Sequence, residues 1–256
     1  MNILRSAVLL LAAGAPIFAQ NAPLHVLISN GMKAVILELQ PKAEQAAGPL
    51  IMEFGTTTRL QEKAESGAPF DVAIMTSEAI STLAKENKIA AGTRTNLSRS
   101  GIGLAVRTGA PKPDISTPEA LKKALLDAQS VSWAGDGASR PHLDKMIEKL
   151  GIAAQLKPKL VLTQGSAVAM QKVAAGQIGM VLTLISELKP VSGIDIAGPL
   201  PEQLQGYVEF AAGVSSQTPN AQAAKNLISM LTGHDTAPIY RAKGMEPMLA
   251  TKSAKK

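Results

Sequence analysis

The sequence predicts an α/β protein with two lobes, each built on a mainly parallel sheet flanked by helices. Three apolar runs within residues 24–75 each lead into a helical pattern, and this alternation is typical of parallel sheets covered by helices. The same alternation returns from residue 130, and a glycine-spaced strand at residues 100–107, with no helix directly after it, stands between the two stretches. We interpret this strand as a crossover between the lobes.

Residues 1–19 match a secretory signal peptide and are not expected to join the fold. Asn2 and Arg5 form a short basic start, residues 7–13 an apolar run, and residues 16–19 a cleavage site. The apolar run is too short to span a membrane stably, and no other stretch approaches the roughly eighteen apolar residues of a membrane helix. We therefore expect an exported protein that is cleaved near Ala19 and located in the periplasm.

Composition argues against a nucleic-acid partner. The formal charge of +6 falls to about +2 for the folded body when Arg5 and the lysines at 252, 255 and 256 are set aside. Aromatic residues make up only 3 % of the chain, whereas proteins that bind single strands stack bases on aromatic side chains. The chain has no cysteine, and so none for lipid attachment. A free monomer is expected.

The first lobe is predicted to contain three strand–helix units. Each consists of a short apolar run, a turn with a hydroxyl or glycine residue, and an amphipathic stretch. The units are predicted at residues 24–28 with 32–47, 51–54 with 57–66, and 69–75 with 76–88. Glu78 in the first turn of the third helix suits the positive end of the helix dipole.

The second lobe is predicted to repeat this design after a loop at residues 108–116. Thr117 is a suitable cap, and Pro118 a suitable first residue, for a helix that reaches residue 128. Three further units are predicted at residues 130–134 with 141–150, 160–163 with 164–175, and 178–182 with 183–188. The remaining elements are a return crossover at 206–214 and helices at 220–231 and 235–243, which are expected to pack on the first lobe.

Small hydroxyl residues follow four of the predicted strands, at Ser29, at Thr56 with Thr57, at Ser139 and at Ser166. A helix start leaves about four N–H groups unpaired and carries partial positive charge, so it can bind an anion. One hydroxyl could equally cap its own helix. Because ligands of open parallel sheets lie beyond the carboxyl ends of the strands, two facing lobes would bring the four junctions together. They predict an anion site of neutral donors.

Four segments together resemble the periplasmic molybdate-binding proteins of ABC importers. The segments are VLISNGMK at 26–33, FGTTTRL at 54–60, SGAPFDVAI at 66–74 and YRAKGMEP at 240–247. The resemblance covers about residues 24–247 and implies the type II periplasmic binding fold. It implies one lobe of residues 24–105 plus 207–256 and a second of residues 106–206. It also implies molybdate or tungstate as the ligand, and an ABC permease in the inner membrane as the partner.

The resemblance also suggests which residues contact the anion. Carried over by position, the family's first oxyanion-binding serine corresponds to Ser29 or, with a shift of one, to Asn30, and its second serine to Thr57. A tyrosine of the family has no counterpart here, because Leu182 or Thr183 occupies its region. The identity of the anion therefore stays open between molybdate, tungstate, sulfate and an organic carboxylate. The predicted ligand-binding residues are Ser29, Asn30, Thr56, Thr57, Ser139, Ser166 and Thr183.

Three cationic side chains are expected close to this cleft, namely Arg59, Arg140 and His142. We interpret them as a solvated rim. If Arg140 points inward, an organic carboxylate becomes a serious competitor as the ligand. A periplasmic sensor module is a further alternative, because a sensor and a transporter component need the same hinged cleft.

Nothing in the sequence matches a known catalytic motif. The three histidines are scattered, and neither a Gly-x-Ser-x-Gly elbow nor a His-Glu-x-x-His metal motif occurs. Asp71 and Asp136 have ordinary roles before a strand and in an Asp-Gly turn. We therefore predict a binding protein that is not an enzyme, with no catalytic residue, no cofactor and no metal cation.

Overall fold

The computed structural model describes residues 22–248. The predicted signal peptide at residues 1–19 and its cleavage site near Ala19 lie outside the described residues. The strands are β1 (Leu24–Ser29), β2 (Leu50–Gly55), β3 (Val72–Thr76), β4 (Thr95–Arg107), β5 (Val131–Ala134), β6 (Leu160–Thr163), β7 (Met180–Leu184), β8 (Ile194–Pro199), β9 (Tyr207–Val214) and β10 (Glu246–Pro247). The helices are α1 (Lys33–Ala47), α2 (Thr57–Glu65), α3 (Ser77–Lys85), α4 (Pro118–Asp127), α5 (Arg140–Leu150), α6 (Ala153–Leu156), α7 (Ser166–Ala174), α8 (Ile185–Leu188), α9 (Ala221–Leu231) and α10 (Ala237–Ala242).

The first lobe is organised around three parallel strands in the order β2-β1-β3. Successive residues of β1 face opposite sides of the sheet, so Val26 and Ile28 pack with α1 and α9 while Leu27 packs with α2 and α3. Both faces of the central strands are thus covered, which explains why β1 and β3 are apolar runs without a polar face. β9 joins β3 in the antiparallel direction.

The second lobe repeats the arrangement on a smaller scale. β5 lies parallel to β6 on one side and to β7 on the other, and β7 pairs antiparallel with β4. Trp133 on β5 is 1 % exposed and is among the largest fully buried side chains. The predicted α/β fold with two lobes is confirmed, and the crossover strands add antiparallel pairs to each parallel core.

β4 belongs to both sheets. Its residues 95–101 pair with β9, and its residues 102–107 pair with β7 and β8. At the change of partner the side chain of Gln205 brackets Ile102. Its Nε2 donates to the Ile102 carbonyl at 3.0 Å, and its Oε1 accepts from the Ile102 N–H at 2.9 Å. The lobe boundaries at residues 105/106 and 206/207 stay a prediction.

Several elements differ from the sequence prediction, among them α6 and β10, which were not predicted. β4 begins at Thr95, five residues before the predicted start at residue 100. β8 was not predicted, because Asp195 separates its isoleucines and the strand ends in Gly198-Pro199. Thr183 lies inside β7, opposite Gly103 of β4, instead of at the start of the helix. No helix among residues 22–248 is long and apolar enough to cross a membrane.

Candidate functional site

The carboxyl ends of strands from both lobes surround one small cavity. Five of the seven predicted ligand-binding residues line it: Ser29, Asn30, Thr56, Thr57 and Ser166. The remaining lining residues are Gly31, Gly137, Ala138, Leu184 and Glu187. The cavity volume open to water-sized spheres is about 10 Å³, which is room for the centre of roughly one water molecule.

Hydroxyl groups at the cleft are not used as helix caps. Ser29, Thr56 and Ser139 each precede a helix or helical turn, and none accepts a capping hydrogen bond on its side chain. Thr76 and Thr117 do accept such a bond, from the N–H three residues further on. Helix capping therefore does not explain why these residues carry hydroxyl groups, which are available for other contacts.

On the side of the first lobe, two hydroxyls bond to each other. Thr57 Oγ1 donates to Ser29 Oγ at 3.0 Å, and both residues are buried. This bond links the junction after β1 to the junction after β2, whose strands lie in parallel register with Ser29 opposite Gly55. The two hydroxyls can turn together toward a ligand because each can also act as a donor.

Asp136 connects the two lobes at the cavity. Its Oδ2 accepts from Thr56 Oγ1 of the first lobe at 3.2 Å, and its Oδ1 accepts from the Gly165 N–H of the second lobe at 2.9 Å. The expectation of an ordinary Asp-Gly turn residue is therefore incomplete. The contact with Thr56 spans 80 positions of sequence, so no local pattern could have indicated it.

Glu187 places a carboxyl group beside the neutral donors of the cavity. Thr183 Oγ1 donates to its Oε2 at 2.5 Å, and the Ser166 hydroxyl and the backbone N–H of Leu184 also hydrogen-bond to the carboxyl. Part of the residue is exposed, but the carboxyl end is enclosed. Burial raises the pKa of Glu187 above its usual range, and the three hydrogen bonds oppose this rise without cancelling it.

Comparison with known proteins identifies the family. Residues 24–246 match the family described as bacterial extracellular solute-binding protein. The chain belongs to this family. Its curated relatives include the aconitate isomerase of a Pseudomonas species, 32 % identical over 250 residues, with 94 % of this chain and 95 % of the relative covered. The molybdate-binding protein ModA of Azotobacter vinelandii is 26 % identical over 249 residues and covers 92 % of this chain and 96 % of its own.

Solved structures support the fold of this solute-binding protein. The periplasmic molybdate-binding protein of Azotobacter vinelandii superposes with a TM-score of 0.74 at 15 % identity, covering 89 % of this chain and 100 % of its own. The substrate-binding domain of a putative molybdenum ABC transporter from Clostridium difficile gives a TM-score of 0.68 at 18 % identity, covering 88 % and 98 %. The predicted relationship to molybdate-binding periplasmic proteins is confirmed.

The prediction that this solute-binding protein is not an enzyme is wrong. It is overturned by the relative named aconitate isomerase, which is 32 % identical over nearly the whole chain. The prediction relied on the absence of catalytic motifs, and Glu187 belongs to none. The sequence offers one signal near Glu187, the hydroxyl of Thr183 four residues earlier. That spacing predicts a contact only when β7 is known to end between the two residues.

Ser139 and Thr183 of the solute-binding protein are buried next to residues that line the cavity but do not line it themselves. Ser139 is 3 % exposed and follows the cavity-lining Ala138, and its backbone carbonyl accepts N–H groups of α5. Thr183 is 1 % exposed, and its hydroxyl is directed to Glu187. Both therefore support lining residues in this structure, and their predicted contact with a ligand stays a prediction.

None of the three predicted rim cations lines the cavity. Arg140 turns to its own lobe, with Nε at 3.0 Å from Asp144 Oδ2 and Nη1 donating to the Gly135 carbonyl at 3.0 Å. Arg59 is exposed on α2. The pKa of His142 is lowered by burial and by the charge of Lys145. Within residues 22–248 no group of three or more His, Cys, Asp or Glu side chains is placed to hold a metal ion.

Proposed function

We propose that this exported solute-binding protein takes a small unsaturated polycarboxylate of the aconitate type in its cleft and moves a proton along it. The observation that carries the proposal is the enclosed carboxyl of Glu187, with a raised pKa, beside the hydroxyls of Ser29, Thr57 and Ser166. A buried acid of this kind is typical of proton-transfer sites. The relative named aconitate isomerase supports the choice of substrate.

The proposed reaction is an allylic proton shift. The ionised carboxylate of Glu187 removes a proton from the methylene carbon next to the double bond, and the electron pair of that C–H bond spreads over the three-carbon unit and its carboxylates. The same carboxyl group, whose proton can first exchange with the solvent, then delivers a proton to the carbon at the other end, so the double bond moves by one position. Atoms and electrons balance without a cofactor. A raised pKa makes Glu187 a stronger base for this step.

The neutral donors have a separate task in this reaction. Negative charge grows on the substrate carboxylates as the proton leaves, and fixed hydroxyl and N–H donors stabilise such charge. Ser29, Thr57 and Ser166 are all at least nine-tenths buried, so their hydrogen bonds act in surroundings with little water. Such donors need no reorganisation when the charge develops.

The second candidate is capture of molybdate or tungstate and delivery to an ABC permease. The 26 % identity to a molybdate-binding protein and the same three hydroxyls favour it. Charge repulsion by Glu187 does not separate the two candidates, because aconitate is also a multiply charged anion; the enclosed carboxyl with a raised pKa favours the first candidate, since only the proton shift uses it. For either ligand we propose a periplasmic monomer, cleaved near Ala19, whose lobes of residues 24–105 plus 207–256 and of residues 106–206 close on the ligand.

A ligand screen in heavy water tests the proposal. We expect cis- and trans-aconitate to raise the midpoint of thermal unfolding and molybdate to have little effect. At about 100 times the dissociation constant, binding adds roughly 2.7 kcal/mol to the free energy of unfolding. Proton NMR should show interconversion of the two aconitates with uptake of deuterium. A shift with molybdate alone, and no interconversion of the two aconitates, would contradict the isomerase and favour the second candidate.

A further inference from the structure

The cavity adjoins a wider groove between the lobes. The groove shares Asn30, Ser166 and Glu187 with the cavity and lies between α1 of the first lobe and α7 and α8 of the second. Its volume is about 290 Å³, against about 10 Å³ for the cavity. A molecule with carboxylates at both ends does not fit in the cavity alone, so its remaining length has to extend past Glu187 into this groove.

Two donors that line the groove have no hydrogen-bond or ion-pair partner among residues 22–248. Lys33 makes no ion pair within the part of the chain that the structure describes, and its Nζ lies 5.3 Å from the centroid of the Phe54 ring. Ser186 also lines the groove, is 2 % exposed, and its hydroxyl has no hydrogen-bond partner among the described residues. Buried hydroxyls are nearly always hydrogen-bonded in folded proteins. An unpartnered hydroxyl in a groove that a lysine also lines indicates that an anionic group binds there.

The backbone around Ser186 is held in place without its hydroxyl. The Ser186 N–H donates to Ser100 Oγ of β4 at 3.3 Å. The hydroxyl is therefore not needed to position α8. The rest of the groove is mainly apolar, with Leu37 on one wall, 44 % exposed, and Met170 on the other. Such a lining suits the hydrocarbon part of a carboxylic acid.

We propose that this groove is a second carboxylate subsite, in which Lys33 and Ser186 bind a carboxylate of the substrate remote from the one held by Ser29 and Thr57. The inference rests on the proposed function and deepens it. Substrates are then restricted to di- and tricarboxylates, because only these place anionic groups on both sides of Glu187. The carbon atoms that exchange the proton lie between the two subsites, against the Glu187 carboxyl.

Binding of a saturated tricarboxylate to a lysine variant tests the subsite. Tricarballylate has the three carboxylates of aconitate but no double bond, so calorimetry measures its binding without turnover. We expect Lys33→Met to weaken tricarballylate binding about tenfold, because a charge-assisted hydrogen bond is lost, and Ser186→Ala to weaken it less. Crotonate, an unsaturated monocarboxylate, should bind both variants as it binds the native protein.

Lys85→Met is the matched control, since Lys85 is exposed on α3 and lines neither space. Tricarballylate that binds Lys33→Met as tightly as it binds the native protein would overturn the subsite while leaving the isomerase proposal intact. A native protein that binds no polycarboxylate and incorporates no deuterium would instead overturn the proposed function, and the subsite with it.

Discussion

Glu187→Gln is expected to slow aconitate isomerisation by about 100- to 10,000-fold, the usual contribution of a positioned acid–base group. The amide keeps the shape of the side chain and can still accept from Thr183, so the cavity should keep its geometry. It cannot take up a proton from carbon. Binding of tricarballylate should therefore change little while deuterium uptake into aconitate nearly stops.

The control for this variant is Glu86→Gln, because Glu86 is exposed just after α3 and lines neither the cavity nor the groove. Its rate should equal that of the native protein. Deuterium uptake by Glu187→Gln at the native rate would exclude Glu187 as the base. Loss of tricarballylate binding together with activity would instead indicate that Glu187 only maintains the shape of the cavity.

The same variant should change how stability depends on pH. Since burial raises the pKa of Glu187 in the folded protein, the stabilisation from its protonated form is fully present below the ordinary glutamate pKa of about 4.3. It is lost as the pH rises through the raised pKa. At neutral pH this stabilisation is reduced, and glutamine, which does not titrate, removes the dependence on pH. Denaturant unfolding should therefore show Glu187→Gln more stable than the native protein at pH 7.5, with no such gain at pH 4.

Thr57→Val should weaken ligand binding by about 1–3 kcal/mol, roughly 5- to 150-fold. Valine has nearly the shape of threonine, so the packing of α2 should survive. The change removes the hydroxyl that now donates to Ser29 Oγ at 3.0 Å and leaves part of the anion without a donor. Calorimetry with tricarballylate provides the measurement.

Thr58→Val provides the comparison for Thr57, because Thr58 is the next residue of the same helix and is exposed. It should bind the ligand as the native protein does. If both valine variants bind equally well, Thr57 does not contact the ligand. The double variant Thr57→Val with Ser29→Ala tests whether the two hydroxyls act as one unit. If they do, it should lose less binding free energy than the two single variants lose together.

Local patterns in the sequence were sufficient to predict most of the fold. Apolar runs followed by amphipathic stretches predicted β1 to β3 and their helices. The strands β1 and β3 are apolar because both of their faces are covered, whereas β2 alternates between partly buried and exposed residues at the edge of the sheet. β8 escaped prediction since Asp195 interrupts its apolar residues, Gly198 and Pro199 end it, and its place depends on pairing with β4. Pairing with a distant strand also explains why Thr183 lies in β7.

For the candidate site, the sequence could predict only the residues that follow parallel strands. Ser29 and Thr57 were predictable because the carboxyl ends of neighbouring parallel strands meet at one edge of the sheet. Asp136 and Glu187 were not, since their roles come from contacts that only the assembled lobes create. A buried glutamate after a strand has no distinct pattern in the sequence, because its surroundings alone raise its pKa.

The strand shared by the two sheets places the junction of the two lobes apart from the residues that line the cavity. We expect rotation of one lobe against the other to bend β4 where it changes partner, near Ile102, whose N–H and carbonyl both bond to the Gln205 side chain. Neither residue lines the cavity or the groove. We expect a substitution at position 205 to shift the balance between open and closed lobes, and with it the rate of ligand release and the apparent affinity, without changing any residue that lines the cavity or the groove.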